Sequence, residues 1–337
     1  MNIAWKIFRA IVSVLLLLAV VVPVSLYVLL SLDSVQNFIK NIAATELSRT
    51  LGATVDIEKI RVHPFNRLSV SGISLSEGSD TIAEIDNVSG GFELFHFLRS
   101  GELIIDYALV DGARFRLSRD SIGAPLNIDP ILRRLKSDEP RADKAFDLTI
   151  NTVVLRNGSL GYDVLSEPLD SAASFDVNHI AINSLELNAF IPRISNAGYA
   201  FSIDHFAFKE RSGFELKTLR LKAEISDHAA RVNDFVVELP SSVLALKPLW
   251  MSYTDLSKIG EALLTTPLEV ATSGPAVIYL PDIKAFVPQL GAVNRRFAFD
   301  FDVAGNLNQV NLRSFAMRDL DGGAFSLAAT AEADSLT

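Results

Sequence analysis

The chain has 337 residues, with 31 Lys plus Arg against 40 Asp plus Glu for a formal charge of -9, and no cysteine. That acidic balance excludes a dense basic surface of the kind that neutralises nucleic-acid phosphates. The absence of cysteine excludes disulfides, thiol nucleophiles and thiolate-held zinc or iron–sulfur centres. Aromatic usage is lopsided: 21 Phe against 6 Tyr and 2 Trp. Phe has no polar tip, so these side chains need a wholly apolar environment.

Residues 1–33 read as a cytoplasmic tip followed by a membrane anchor. The 23 residues from Ala10 to Leu32 carry no charge, and as a helix would span about 34 Å, enough for the hydrocarbon core. A cleaved signal peptide has a shorter apolar region ending at a small-x-small site, and no such site stands near Leu32. Lys6 and Arg9 precede the span and Asp33 follows it. The positive-inside rule then puts the N-terminus in the cytoplasm and the body outside.

Residues 34–52 predict an amphipathic capping helix. Asp33 or Ser34 caps it, Val35, Phe38, Ile39, Ile42 and Leu47 fall at helical spacing, and Gly52 stops it. Residues 53–135 predict a first β module. It contains a short helix or turn at Phe92–Arg99, a tight turn at Asp111-Gly112, and a brief helix from Asp129-Pro130 to Leu135. The polar stretch 136–145 is a linker or loop. Residues 146–337 continue as strands, with a tight turn at Asn157-Gly158 and short helices at Thr254–Leu264 and Pro281–Leu290. The sequence stops soon after the strand-like run Ala324–Ala331, which suggests the N-terminal part of a longer protein.

One spacing organises the strands. Apolar residues come two apart, then two polar residues intervene before the next apolar pair. Examples are Val55, Ile57, Ile60, Val62; Leu68, Val70, Ile73, Leu75; Ile150, Val153, Leu155; Val177, Ile180, Ile182, Leu185, Leu187; and Phe206, Phe208. Spacing of two puts a pair on one sheet face, and a step of three would reverse it. The inserted residues, among them Glu58-Lys59, Ser71-Gly72, Asp106-Tyr107, Asn151-Thr152, Asn178-His179, Asn183-Ser184, Asp204-His205, Lys217-Thr218 and Asn308-Gln309, include many that tolerate bulge geometry. Each is read as a bulge that restores the next pair to the same face. The expected object is a mainly β chain whose sheet is apolar on one side. Periodicity leaves open whether that face is bare or covered by a second sheet in a closed sandwich.

Nothing in the sequence carries chemistry. The histidines His63, His96, His179, His205 and His228 form no H-x-x-H or H-E-x-x-H pattern, and His179 and His205 read as solvated residues of the polar inserts. Gly158-Ser-Leu-Gly161 has the wrong spacing for a nucleophile elbow. No phosphate-binding glycine loop is present. The expectation is no enzyme, no catalytic residue, no metal and no cofactor.

The order of features resembles the AsmA-like superfamily, and within it the TamB-type inner-membrane components of translocation and assembly modules. The residues that carry the resemblance are the span Ala10–Leu32 and the helix ending Leu47-Ser-Arg-Thr-Leu-Gly-Ala53. They continue with Val55-Asp-Ile-Glu-Lys-Ile-Arg-Val62, Leu68-Ser-Val-Ser-Gly-Ile-Ser-Leu75, Arg99-Ser-Gly-Glu-Leu-Ile-Ile-Asp-Tyr-Ala-Leu-Val-Asp-Gly112 and Phe115-Arg-Leu-Ser-Arg119. The family pattern often has Pro after that last glycine, where Ala113 stands here. The C-terminal domain of TamB-type members is also missing from the sequence.

The resemblance implies an elongated, twisted and curled β-sheet forming an apolar groove, anchored in the inner membrane and lying in the periplasm. It implies a phospholipid partner moved toward the outer membrane, and an outer-membrane β-barrel partner reached through the missing C-terminal region. The expected lipid contacts are Val70, Ile73, Ile150, Val153, Val177, Ile180, Ile182, Leu185, Leu187, Phe206 and Leu221. An alternative is a scaffold that assembles outer-membrane or secreted proteins by strand pairing. A closed sandwich with a purely structural role is the third reading.

Overall fold

A computed structural model describes residues 31–63, 67–78, 80–92, 103–136, 148–169, 174–195, 198–255, 264–306, 309–323 and 326–333, with four positions between 21 and 29. Most of the expected anchor, including Ala10, therefore lies outside the described residues, as do all but Lys136 of the linker or loop expected at 136–145 and most of the helices expected at 92–99 and 254–264. Leu32, the anchor's other end, directly precedes helix α1 (Asp33–Leu51), and Gly52 ends that helix in the left-handed conformation. Among the described residues no helix is long and apolar enough to cross a membrane.

The remaining described chain is almost entirely strand. The first seven strands are β1 (Thr54–His63), β2 (Arg67–Glu77), β3 (Asp80–Phe92), β4 (Leu103–Arg119), β5 (Leu148–Val164), β6 (His179–Ser195) and β7 (Gly198–Glu210). Next come β8 (Glu215–Leu216), β9 (Thr218–Ser226), β10 (Ala229–Glu238), β11 (Val243–Ala245), β12 (Leu249–Ser252), β13 (Leu268–Ala271) and β14 (Ala276–Tyr279). The last three are β15 (Arg296–Gly305), β16 (Val310–Asp319) and β17 (Ser326–Ala333). From β1 to β10 each strand pairs with its sequence neighbour, β8 and β9 sharing the edge of β7. Beyond β10 the ladder passes through β11 to β14 and β15, then to β16 and β17.

All these pairs are antiparallel except β4–β5. A parallel pair needs a crossover rather than a hairpin, and helix α2 (Asp129–Lys136) lies in that crossover. Asp129 reaches back to accept a hydrogen bond from the Leu126 amide at 2.8 Å, as the acidic residue of a capping box does. The result is one 17-stranded open mixed sheet, not a closed sandwich.

Its core is small. Helix α1 lays Ile39, Ala43 and Ala44 against Val55, Ile57 and Ile60 of β1. Ile131 of α2 joins Ala53 and Ile82 at one end of the first strands, with Leu75 and Leu117 packed around them. Among the described large side chains only Ile82 and Val164 are below 2 % exposed. A sheet of this size with so little full burial has one face without a protein cover over most of its width.

Several expectations need correction. Asp111-Gly112 and Asn157-Gly158 are not turns; they lie inside the uninterrupted strands β4 and β5. Val177 sits in a turn before β6, 65 % exposed, so Asn178-His179 is not a bulge within a strand. Lys217-Thr218 falls at the break between β8 and β9. Pro281–Leu290 forms two short 3-10 helices, Leu280–Ile283 and Pro288–Ala292. Pro288 removes an amide donor and clashes with the preceding turn, so one continuous α-helix cannot form there.

Candidate functional site

The one-faced apolar sheet depends on bulges, and the ladder registers test them. Residues paired across an antiparallel ladder point to the same face. Ile182 and Leu185, three apart on β6, pair with Leu160 and Gly158, two apart on β5. The extra residue is absorbed at Asn183-Ser184, where Ser184 has φ 51°. Ile150 and Val153 pair in the same way with Ile191 and Ala189, and Ile203 and Phe206 with Ala189 and Leu187. Asn151-Thr152 and Asp204-His205 are therefore bulges that keep their apolar neighbours together.

Left-handed residues stand at matching heights on neighbouring strands. Gly72 on β2, Gly112 on β4, Asn157 on β5 and Ser184 on β6 have φ values of 62°, 68°, 53° and 51°. The registers put Gly72 opposite Glu58 and Gly112 opposite Asp86, and align Gly112 with Asn157. Asn157 and Ser184 lie at register shifts and bend their strands as bulges do. At Gly72 and Gly112 the register is unbroken, so strand and partner kink together, and the aligned positions form a crease across the sheet. Beside it the apolar residues shrink: Ala113 is fully buried, and a Cβ on Gly158 would press on the Leu185 carbonyl and the Leu155 side chain.

Apolar residues form unbroken rows perpendicular to the strands. One row is Ile60, Val70, Val88, Val110, Leu155, Leu187 and Phe206, one residue from each of seven strands. At about 4.8 Å per inter-strand step it measures about 29 Å. A second row is Leu68, Gly90, Ala108, Val153, Ala189, Ile203 and Leu221. A third is Val55, Leu75, Ala83, Phe115, Leu160 and Ile182. Away from α1 and α2 most of these side chains are only half-buried.

The expected contact residues divide cleanly. Val70, Ile73, Val153, Ile180, Ile182, Leu185, Leu187, Phe206 and Leu221 all lie on this face, and the register of Ile150 places it in line with them. Val177 does not belong to it, because the sheet has not yet begun there. Val88, Val110, Leu155 and Phe115, which sequence reasoning did not single out as contacts, are equal members of the rows.

Polar groups collect on the opposite face. Arg114 reaches both Asp86 oxygens at 2.9 and 2.7 Å, and its Nε lies 3.3 Å from Glu84. The Arg114 hydrogen bonds hold the Asp86 carboxyl below the usual carboxylate range. Exposed pairs of this kind add little stability; they serve to fix which face is wet.

One row of the apolar face ends on a charge. Ile182 pairs with Glu210 of β7, which is 6 % exposed. Burial works to raise its pKa, but Ser212, through its hydroxyl and its amide at 2.7 Å, and the Ala181 amide at 3.2 Å outweigh that and leave it lowered.

His179, expected to be solvated, is instead 7 % exposed. Its Nδ1 lies 3.0 Å from Asp163 Oδ1 and its Nε2 lies 3.1 Å from the Glu167 carbonyl. Two acceptors favour the doubly protonated ring, and the Asp163 contact raises its pKa above the ordinary 6.5. A raised folded pKa contributes stability that is complete below the unfolded value and fades as pH rises through the folded one. Urea midpoints should therefore fall as pH rises above the ordinary 6.5, and His179→Gln should flatten that slope. An unchanged slope in the variant would remove this assignment. Among the described residues no group of His, Asp and Glu is arranged to hold a metal.

The search of curated proteins gave no match. The model of the AsmA family matches residues 1–196, which run through β6 and cover the crease and most of the first apolar rows. The chain belongs to the AsmA family.

Proposed function

We propose that the protein conducts phospholipid acyl chains along this apolar face, which the creased sheet shapes into a groove. The observation that carries the reading is the set of unbroken apolar rows on a face with little protein cover. An acyl chain laid along a row meets no hydrogen-bonding group, and each buried CH2 contributes about 0.8 kcal/mol. Ile60 and Val70 pack with α1, so the open part of this row runs from Val88 to Phe206, about 19 Å at about 4.8 Å per step. A chain can shift between it and the neighbouring rows with equivalent contacts. Headgroups stay in water at the groove mouth.

In this reading residues 10–32 anchor the chain in the inner membrane, with the sheet in the periplasm and transport directed toward the outer membrane. The packing of α1 supports the placement, because it brings the start of the sheet to the end of that span. TamB-type membership and an outer-membrane β-barrel partner are part of the same proposal. AsmA family membership is consistent with envelope roles in lipid handling or protein assembly.

The test is a photocrosslinking amino acid at Val110 or Leu187 in the full chain, in cells. Lipid adducts at these positions, and none at Arg114 or Glu186 on the opposite face, are expected. A functional chain that captures no lipid at either apolar position would overturn the conduit.

A second reading has its own observation. Strand β17 pairs only with β16, and among the described residues its other edge has no partner. Such an edge can add a client strand through main-chain hydrogen bonds, as assembly of outer-membrane or secreted proteins would require.

A further inference from the structure

The apolar face is not equally open along its length. Between β14 and β15 the chain leaves the sheet as a loop from Leu280 to Arg295, closed at its base by the Leu280 amide donating to the Arg295 carbonyl at 3.1 Å. Asp282 ties the near part of the loop to the β10–β11 turn, accepting from the Ser241 amide at 2.8 Å and the Ser242 hydroxyl at 2.7 Å. The tip reaches back to the segment before β6. There the Phe175 amide donates to the Ala285 carbonyl at 2.8 Å, and Ala285 is 2 % exposed.

Phenylalanine rings join this tip to the apolar face. Phe286 lies 5.1 Å from Phe175 and 5.0 Å from Phe214, between ring centroids. Phe214 lies 6.0 Å from Phe208, and Phe208 lies 5.7 Å from Phe206. Phe206 and Phe208 belong to the apolar rows through their partners Leu187 and Leu216. The string thus runs from Phe206 within β7 to the ends of the strands at the β7–β8 turn. The row that ends on buried Glu210 stops at the same strand. Fewer apolar rows therefore cross β7 than cross β6, and the ring contacts put the loop tip beside those that remain.

The base of the loop is held by two strands, whereas among the described residues the tip is joined to the segment before β6 and to Phe214 by one backbone hydrogen bond and two ring contacts. Phe286 remains 50 % exposed. A permanent cover would bury its largest side chain, whereas a tip that detaches leaves it half in water.

We propose that the 280–295 loop is a gate, which in its latched position limits passage from the β1–β6 stretch of the apolar face to the β9–β17 stretch. The gate rests on the acyl-chain reading above. It makes transfer along the sheet a two-stage event: loading on the family-matched part, then release past Phe286.

The cysteine-free chain permits a direct test. Phe175→Cys and Phe286→Cys are introduced together in the full chain, reconstituted in vesicles of phosphatidylethanolamine and phosphatidylglycerol. The two thiols are joined by a short bis-methanethiosulfonate reagent that dithiothreitol removes. A photocrosslinking residue at Val110 reports the first stretch, and one at Phe301 reports the second. Tethering is expected to leave the Val110 lipid adduct within twofold and to lower the Phe301 adduct at least tenfold, with recovery after reduction. Phe286→Ala, which cannot latch, should raise the Phe301 adduct severalfold. A Phe301 adduct that ignores both the tether and Phe286→Ala would overturn the gate alone. Absence of adduct at Val110 in the unmodified chain would overturn the lipid reading, and the gate with it.

Discussion

Replacing Val110 and Leu187 together with aspartate is expected to lower lipid adducts and vesicle-to-vesicle transfer at least tenfold while the protein still folds. Both residues lie in the row that crosses seven strands, and both are half-buried. A carboxylate there must either be desolvated beneath an acyl chain or hold a gap open around itself. Either costs more than the about 1.4 kcal/mol that corresponds to a factor of ten. Folding survives because water reaches these positions when no chain is bound. Ile57 is the contrast: it is 8 % exposed beneath α1, so Ile57→Asp should unfold the start of the sheet. The strand-pairing reading makes the opposite forecast for the double variant, since backbone hydrogen bonds at β17 are indifferent to side chains on β4 and β6. Undiminished lipid transfer in a folded Val110→Asp, Leu187→Asp chain would eliminate these rows as the conduit, and lost adducts with undiminished envelope assembly in cells would favour the strand-pairing alternative.

The second large effect is expected at the crease. Gly112 has φ 68°, a conformation that a β-branched residue adopts only with strain. A Cβ there would also overlap the Asp86 side chain, which would have to rotate and surrender its bonds to Arg114. Gly112→Val should cost about 1–3 kcal/mol from the backbone conformation and more from the displaced carboxylate. The measurement is the urea midpoint of the full chain in detergent. Gly123 supplies the control: its φ is 83°, but no atom lies within 4 Å of its would-be Cβ. Gly123→Val thus carries strain without a clash. Equal midpoints for the two variants would show that the Gly112–Asp86 contact contributes nothing.

The repeat itself was legible in the sequence because two-residue spacing and a polar insert each have a direct geometric meaning. The registers around Asn183-Ser184 and Asp204-His205 match that reading. Asp111-Gly112 and Asn157-Gly158 were misread for a physical reason. The same small and carboxamide residues that close a hairpin also permit a left-handed bulge, and only the partner strand distinguishes the two. Val177 failed because apolar spacing extends two residues beyond the point where β6 begins. His179 looked solvated because its polar neighbours are adjacent in sequence, while the groups that bury it, Asp163 and Glu167, come from the preceding strand and its turn. The Phe175–Phe286 contact joins residues more than a hundred positions apart, and no local pattern announces it.

The matched kinks of neighbouring strands also constrain how such a sheet can change size. Deleting one residue from the insert of any single strand would turn half of that strand over, exposing its apolar side chains and placing charges among its neighbours'. Adding a complete strand carries no such penalty, provided it brings its own kink at the same height. The fold is therefore tolerant of length counted in strands and intolerant of length counted in residues. Duplication can lengthen the apolar rows, while each strand keeps the same stride.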